Sequence, residues 1–266
     1  VRNNAAVDGR RVALLDNFVW GNPKKPDRLG SLVRACQACY DVAKSFGTPF
    51  ISGKDSLYNE SPLGPVTPTL LITGVGIVPD VREAVSMDLK RSGDSVYLVG
   101  KTMQELGGSE YYRLMGTLGK SAPQVDAKAG PRNAALIVKA IDCGFVKACH
   151  DVSEGGLAVA AAEMAFAGNL GVDLWLSRVS RPESLTRGDF ILFSESNSRF
   201  LVEVDQKYAR DFENMMKGVP FALIGKVKSS RDLTVYDVKD NKRVEIDLMM
   251  LRAAWKRTYG ADRYEA

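Results

Sequence analysis

The chain has 266 residues, of which 45% are hydrophobic and 26% are charged. These proportions are close to the globular average and exclude disordered and collagen-like classes. The 36 basic and 32 acidic residues leave a net charge of +4, which is too small and too evenly spread to indicate nucleic-acid binding. One histidine and four cysteines argue against a site of several imidazoles and against a disulfide scaffold.

The sequence predicts no membrane segment. The longest mostly apolar run, residues 70–78, is interrupted by Thr73, Gly74 and Gly76, whereas a bilayer span needs roughly 20 apolar residues. No secretory signal is visible at the start of the chain. We therefore expect a reduced, cytoplasmic protein without membrane or nucleic-acid partners. Because the sequence begins with Val1 rather than Met, we also expect a piece of a longer polypeptide.

The first third of the chain predicts a small sheet with one long helix. Strands are predicted at residues 12–16, 49–52 and 69–78. Residues 53–56 predict a polar turn after the second strand. An apolar stripe with helical spacing predicts a core-facing helix that is capped by Asp27 and ended by Gly47.

The charged stretch at residues 80–94 holds few core candidates, so we place a domain boundary there. Residues 1–85 are assigned to an N-terminal sheet domain and residues 86–266 to a C-terminal α/β domain. In the second domain, strands are predicted at residues 95–99, 146–149, 172–176, 191–194, 200–204, 221–227, 234–238 and 243–246. Helices are predicted from Pro131 to Cys143 and at residues 157–167, 208–217 and 247–259. This alternation predicts an α/β or α+β fold.

Polar residues follow two strands of the first domain. Asp16 ends the first strand, and residues 52–56 (Ser-Gly-Lys-Asp-Ser) follow the second. Ligands bind at strand ends in open α/β sheets. A carboxylate such as Asp16 can bind Mg²⁺ or a ribose hydroxyl, Gly53 lets backbone N–H groups approach a phosphate, and Lys54 and Ser56 supply charge and a hydroxyl. Two ordinary turns are the alternative interpretation.

Residues 107–111 (Gly-Gly-Ser-Glu-Tyr) give a second candidate. Two glycines followed by a hydroxyl and a carboxylate can form an anion-binding nest. The alternative is a helix start in which Ser109 is the N-cap and Tyr111 and Leu114 face the core.

Residues 150–156 (His-Asp-Val-Ser-Glu-Gly-Gly) form the third candidate. A strand ends in Asp151, which is placed to hold a metal bound to phosphate, and Gly155 and Gly156 open a helix whose N–H groups favour an anion. An ordinary loop remains open as the alternative. We interpret His150 as a hydrogen-bonded structural residue, and Glu195 as a loop carboxylate with substrate contact as the alternative.

Taken together, these motifs resemble the second half of the phosphoribosylformylglycinamidine synthase family, within the aminoimidazole ribonucleotide synthetase superfamily. The resemblance is carried by residues 15–26, 52–60, 107–111, 150–156 and 193–196, and it covers essentially the whole chain. It implies a two-domain unit, in which an N-terminal sheet domain forms half of a barrel with its twin and a C-terminal α/β domain packs beside it.

The resemblance also implies a reaction. In this family ATP phosphorylates the amide oxygen of formylglycinamide ribonucleotide, and ammonia displaces the phosphate to give the amidine. The implied cofactors are ATP/ADP and Mg²⁺. The implied partners are the N-terminal half of the same polypeptide, a glutaminase subunit and a small bridging subunit. A chain that carries only this half is expected to form a homodimer. The family's catalytic histidine belongs to the first half, so no catalytic residue is assigned here.

Site roles follow from the resemblance, position by position. Nucleotide contacts are assigned to Asp16, Gly53, Lys54 and Ser153. Substrate contacts are assigned to Ser56, Gly155 and Gly156, and a metal contact to Asp151. Lys54 departs from relatives with a metal-ligating Asn there. Because a charged lysine cannot ligate a metal, it is expected to contact phosphate instead.

Two other functions stay open. In the first, this half is a non-catalytic nucleotide holder that locks ADP or phosphate and stabilises the fold. In the second, the chain is a complete kinase-like or synthetase relative. That class carries a glycine-rich, aspartate-bearing N-terminal segment, which this sequence does not show.

Overall fold

The computed structural model describes residues 1–257, which form two compact units. Unit 1 contains Gly9–Pro79, and unit 2 contains Arg2–Asp8 together with the residues from Asp80 onward. The sequence-based division assigned residues 1–85 to the first domain. The structure instead groups the short helix α1 (Arg2–Ala6) with unit 2, because Ala5 and Ala6 are buried in a hydrophobic cluster of that unit.

Unit 1 is a three-stranded sheet with one long helix. Its elements are β1 (Arg10–Val19), α2 (Pro26–Phe46), β2 (Phe50–Ser56), the small hairpin β3 (Glu60–Ser61) and β4 (Gly64–Pro65), and β5 (Thr69–Ile77). The central strand β1 is parallel to β2 and antiparallel to β5. The predicted turn at residues 53–56 is therefore wrong, because these residues lie within β2 and pair with β1.

Helix α2 begins and ends close to the predicted residues. Its N-cap is Lys25 rather than Asp27, which lies in the first turn. It ends at Gly47, whose φ of 65° is the left-handed conformation that glycine adopts without strain. The expectation that its apolar stripe faces a core is wrong, since α2 contains no buried residue and Val33 and Tyr40 are 58% and 59% exposed.

Unit 2 is built on a seven-stranded mixed sheet. Its strands are β6 (Ser95–Val99), β7 (Val146–Val152), β8 (Gly171–Trp175), β9 (Arg199–Val204), β10 (Phe221–Lys228), β11 (Asp232–Tyr236) and β12 (Lys242–Asp247). Its helices, after α1, are α3 (Glu110–Leu114), α4 (Ala129–Asp142), α5 (Gly156–Gly168), α6 (Gly188–Phe193), α7 (Ala209–Met216) and α8 (Leu248–Arg257). The strand order is β12-β11-β8-β10-β6-β9-β7, and β8 with β11 is the parallel pair among these strands.

Alternating side chains of the central strands enter two separate clusters. In β6, Val96 and Leu98 belong to the cluster that contains α5, whereas Tyr97 and Val99 belong to the cluster that contains α4 and α7. Successive residues of a strand point to opposite faces, so the sheet is covered on both sides. A sheet buried on both faces is typical of α/β architecture.

Two further expectations are corrected in unit 2. Residues 191–194 were predicted as a strand, but residues up to Phe193 belong to helix α6, because a short apolar run does not distinguish the two structures. Ser109 is the N-cap of α3, whereas Leu114 is 80% exposed and does not face the core. Residues 258 and 259 of the predicted last helix lie outside the described residues. Within residues 1–257 no helix is long and apolar enough to cross a membrane.

Candidate functional site

In unit 1, Asp16 and Gly53 lie side by side on the parallel strands β1 and β2. A Cβ atom on residue 53 would lie 1.8 Å from Oδ1 of Asp16, so the carboxylate occupies the space that a side chain would need. Asp16 faces helix α2. In that helix, burial together with the charges of Cys36 and Asp16 raises the pKa of the Cys39 thiol. Glycine at position 53 therefore makes room for the carboxylate.

Lys54 and Ser56 lie on the opposite face of the same sheet. Residues paired in register share a face, and Asn17 pairs with Lys54 while Val19 pairs with Ser56. The ammonium of Lys54 donates a hydrogen bond to the Ser56 hydroxyl. Oδ1 of Asn17 is buried and has no hydrogen-bond partner within the described residues. The predicted unit 1 group is thus divided between two faces of one sheet.

The loop after β1 is held by Glu60. Its carboxylate accepts hydrogen bonds from the backbone N–H of Asn22 at 3.0 Å and from Nε of Arg28 at 3.1 Å, and it pairs with Lys25. The bond from Lys25, followed by the backbone bond from Asn22, lowers the pKa of Glu60 to about 2. The carboxylate is therefore ionised and fixes the loop that follows Asp16.

In unit 2, the carboxylate of Glu195 joins two glycine-containing loops. Its Oε1 accepts a hydrogen bond from the backbone N–H of Gly155 at 2.9 Å and another from that of Glu110 at 3.0 Å. Three of the sequence motifs, at residues 107–111, 150–156 and 193–196, therefore meet at one oxygen atom. We call this three-residue contact the Glu195 clasp.

Buried hydrogen bonds hold the two residues on either side of Glu195 in place. The hydroxyl of Ser194 donates to the carbonyl of Met103 at 2.7 Å, and the N–H of Met103 donates to the hydroxyl of Ser196 at 2.9 Å. The fully buried guanidinium of Arg199 donates to the carbonyls of Ser194 and Ser196 and to the hydroxyl of Thr102. Burial lowers the pKa of Arg199 to about 9, which still leaves it charged at neutral pH.

Gly155 and Gly156 begin helix α5 in the left-handed region, with φ values of 74° and 66°. The N–H of Gly156 donates to the carbonyl of Ser153 at 3.0 Å, and a Cβ on Gly156 would lie 2.5 Å from the carbonyl oxygen of Ser194. Both glycine N–H groups thus already have acceptors in the protein. In contrast, the Ser153 hydroxyl makes no hydrogen bond within residues 1–257.

His150 and Asp151 form a charged cluster at the end of β7. Nε2 of His150 lies 2.8 Å from Glu163, and Nδ1 lies 3.5 Å from Asp151. Burial opposes a charge on the ring, but the bonds to Asp151 and Glu163 raise the pKa of His150 to about 9. Burial likewise opposes ionisation of Asp151, yet His150 and the charge of Arg2 hold its pKa below the usual range. His150 is therefore a cation at neutral pH and not a free base.

The predicted metal ligand does not belong to a metal centre made by protein groups alone. Asp151 is engaged by His150 and Arg2, and the described residues hold no group of three His, Cys, Asp or Glu side chains that could bind a metal. Mg²⁺ usually keeps several waters and takes one or two carboxylates plus substrate phosphates. The protein residues present do not fit a complete Mg²⁺ site.

The eight predicted site residues fall into two sets. Asp16, Gly53, Lys54 and Ser56 belong to unit 1, and Asp151, Ser153, Gly155 and Gly156 belong to unit 2. The sequence predicted Glu195 as a loop carboxylate, with substrate contact as the alternative, and gave no prediction for Arg199. The signal for Arg199 was an arginine at the start of an apolar strand, and for Glu195 it was a carboxylate between two serines.

The fold is that of two-domain α/β proteins of the aminoimidazole ribonucleotide synthetase type. The chain superposes on Thermotoga maritima PurL complexed with ATP with a TM-score of 0.74 at 20% identity, over 94% of this chain and 39% of that one. It superposes on T. maritima PurL complexed with FGAR with a TM-score of 0.76 at 22% identity, over 94% and 41%. E. coli HypE, a hydrogenase maturation protein, has a TM-score of 0.71 at 19% identity, over 93% of this chain and 76% of that one.

Residues 91–238, more than half of the chain, match the family model of the AIR synthase related protein, C-terminal domain. The chain belongs to this family. It is also 36% identical over 255 residues to phosphoribosylformylglycinamidine synthase subunit PurL of Thermococcus sibiricus, which covers 96% of this chain and 35% of that protein. The same subunit of Pyrococcus furiosus is 37% identical over 246 residues, which are 92% and 33% of the two chains. The chain thus spans about a third of the length of these relatives.

Proposed function

We propose that this chain is the second half of the synthetase subunit of a phosphoribosylformylglycinamidine synthase. The reaction is the ATP-dependent amidation of formylglycinamide ribonucleotide in purine biosynthesis. The amide oxygen of the substrate attacks the γ-phosphorus of ATP and ADP leaves. Ammonia then adds to the activated carbon, phosphate departs with the amide oxygen, and the amidine remains.

The observation that carries this proposal is the meeting of three motifs at the Glu195 clasp. Three of the motifs that carry the resemblance, at residues 107–111, 150–156 and 193–196, are bonded to one another through Glu195. Identity of 36% and 37% to two PurL subunits, over nearly the whole chain, supports the same assignment. A neighbour of the same fold is described as complexed with FGAR.

Within this reaction the chain contributes binding and positioning groups. Phosphoryl transfer requires mostly alignment and charge neutralisation. Within unit 1, Lys54 can supply a positive charge, and within unit 2 the hydroxyl of Ser153 can supply a hydrogen bond. Mg²⁺ would be held mainly by phosphate oxygens of the nucleotide, because Asp151 is already engaged by His150 and Arg2. The one histidine of the chain is a cation bonded to two carboxylates, so proton transfer is assigned to the other half of the enzyme.

The proposed partners follow the same assignment. They are the first half of the subunit, a glutaminase subunit that releases ammonia, and a small bridging subunit, all in the cytoplasm. A solved relative is described as PurLQS from Thermotoga maritima. By itself the chain is expected to form a homodimer, because Leu71, Val75 and Ile77 on one face of β5 are 60%, 55% and 57% exposed and uncovered apolar surface favours association.

A second function is favoured by one specific observation. The single histidine of the chain is held between Asp151 and Glu163, so it is not free to transfer a proton during turnover. A half of this kind would hold a nucleotide without turnover. Its role would be to stabilise the fold, as ligands that bind only the native state do.

One experiment separates the two functions. The complete subunit that contains this chain is supplied with ATP, formylglycinamide ribonucleotide and ammonium chloride, and ADP and amidine are both quantified. The amidation proposal requires equal amounts of the two products and no amidine without ATP. Absence of amidine would refute it. If amidine forms while a nucleotide stays bound to residues of this chain without being hydrolysed, this half has the nucleotide-holding role.

A further inference from the structure

We propose that Glu195 is a positioning residue that holds two glycine-containing loops, residues 107–110 and 153–156, at the spacing required by a phosphate-bearing substrate. The identity of the substrate rests on the proposed function, whereas the contact itself does not. The proposed amidation does not require Glu195 to touch the substrate.

The contact is long-range and is made by a single atom. Gly155 is 40 residues before Glu195 in sequence and Glu110 is 85 residues before it, yet both N–H groups donate to the same Oε1. One carboxylate oxygen therefore fixes the distance between the starts of α3 and α5.

The backbone segment that carries Glu195 is held by buried hydrogen bonds. Ser194 and Ser196 are both buried and both bonded to Met103, and Arg199 holds their carbonyls. Tyr111 of α3 stacks on Phe193, with ring centroids 4.9 Å apart and an interplanar angle of 8°. Because this segment is fixed, Glu195 can hold the two loops at one spacing.

Charge argues that Glu195 acts through the loops and not on the ligand. Its Oε1 is already occupied by two donors, and a negative carboxylate repels a phosphate at close range. A direct contact between the Glu195 carboxylate and the phosphate of the proposed substrate would thus be unfavourable. An effect through the loops avoids this repulsion. In that case the two loops lose their relative spacing when the acceptor is removed.

Four variants of the complete subunit separate these effects. Glu195→Ala removes the acceptor, and Glu195→Gln keeps an acceptor oxygen but removes the charge. Glu195→Asp keeps the charge but shortens the reach by one methylene, which gives a second loss-of-contact variant. Glu183→Ala, an exposed carboxylate in another loop of unit 2, is the matched control.

The first measurement is amide hydrogen exchange at Gly155 and Glu110, and it does not depend on activity. Glu195→Ala and Glu195→Asp should accelerate exchange at both amides together by about tenfold or more, while Glu195→Gln and Glu183→Ala leave it near the wild-type rate. Protection that persists at either amide in Glu195→Ala would overturn the proposal.

The second measurement is the kinetics of amidation. Glu195→Ala and Glu195→Asp should raise the KM for formylglycinamide ribonucleotide about tenfold, with kcat within about threefold of wild type. Glu195→Gln should restore the KM to within about threefold. Lost protection with an unchanged KM would overturn the positioning role. A wild-type subunit without amidation would refute the proposed function and leave the exchange result standing.

Discussion

The carboxylate of Asp16 lies over the backbone of Gly53 on the neighbouring strand, where a Cβ atom would be 1.8 Å from Oδ1. Two of the predicted nucleotide contacts thus depend on each other for space. A side chain at position 53 forces the carboxylate to move, and the cost of such overpacking is typically about 1–3 kcal/mol.

Gly53→Ala is therefore expected to lower the free energy of unfolding of the chain by about 1–3 kcal/mol, as measured by urea denaturation. Adding Asp16→Ala should recover part of this loss, because the second substitution removes the group that the methyl meets. A double-mutant cycle then gives a coupling energy above about 0.5 kcal/mol. Strict additivity of the two substitutions would contradict the geometry.

Gly30→Ala provides the control for glycine substitution. Gly30 lies inside helix α2, and a Cβ there would meet no atom closer than 3.7 Å. Alanine is favoured over glycine in a helix by about 1 kcal/mol, so this variant should be more stable than wild type. A loss of stability at Gly30 similar to that at Gly53 would show that the effect is not specific to the Asp16 contact.

A second relationship lies between the fully buried carboxyl groups of Glu203 and Asp94. Glu203 accepts the backbone N–H groups of Lys90 and Arg91 at 2.8 and 3.0 Å. Oδ2 of Asp94 is buried without a partner among the described residues, while its Oδ1 accepts from Arg91. A proton on Glu203 lets that carboxyl donate to Asp94 and satisfy the unpaired oxygen.

Stability should therefore fall as pH rises through this region. Burial, together with the charge of Asp94, raises the pKa of Glu203 from 4.5 to about 7. The native state holds a proton that the unfolded state releases above pH 4.5, so ionisation costs stability between these values, by roughly 2–3 kcal/mol once complete. Asp94→Asn supplies an N–H donor to Glu203 and should flatten this slope in urea titrations from pH 4.5 to 8. A slope identical to that of Glu183→Gln, the exposed control, would contradict the shared proton.

The raised pKa of His150 predicts a second dependence of stability on pH, in a more alkaline range. Its pKa is raised to about 9 by Asp151 and Glu163, against an ordinary value of 6.5. The stabilisation is fully present below pH 6.5 and is lost as pH rises through about 9. His150→Gln should be about 2–3 kcal/mol less stable than wild type at pH 6 and nearly equal to it at pH 10. An equal difference at both pH values would show that the ring is neutral in the native state.

Arg199 is expected to stabilise the loop that carries Glu195. Arg199→Met leaves two carbonyls and the hydroxyl of Thr102 without their donor, and each buried unsatisfied group costs about 1–3 kcal/mol. The loss should exceed about 3 kcal/mol in chemical denaturation, with Arg199→Lys in between. Arg210→Met, at an exposed position of α7, should stay within about 0.5 kcal/mol of wild type. An equally small effect of Arg199→Met would contradict the support role.

Local sequence signals predicted elements well where a single residue fixes the backbone. Gly47 adopts the left-handed conformation expected of a helix-ending glycine, and Ser109 caps α3 through its bond to the N–H of Tyr112. The local signals failed where pairing with another strand decides the secondary structure. Residues 53–56 have turn-forming side chains, but pairing with β1 makes them a strand.

The candidate site was predictable by its motifs but not by its connections. Residues 107–111 and 150–156 are recognisable from their glycines, yet no local pattern shows that Glu195 bonds to both. The same holds for His150, whose partner Glu163 lies on the following helix. Pairings across 13 to 85 residues depend on the folded sheet and therefore need the structure.

The path of the substrate's amide oxygen tests the proposed reaction most directly. Formylglycinamide ribonucleotide labelled with ¹⁸O in that amide group is converted by the complete subunit with ATP and ammonium chloride, and the inorganic phosphate is examined by mass spectrometry. We predict that the label appears in phosphate in proportion to the amidine formed. Unlabelled phosphate accompanying amidine would contradict activation of the amide oxygen by ATP.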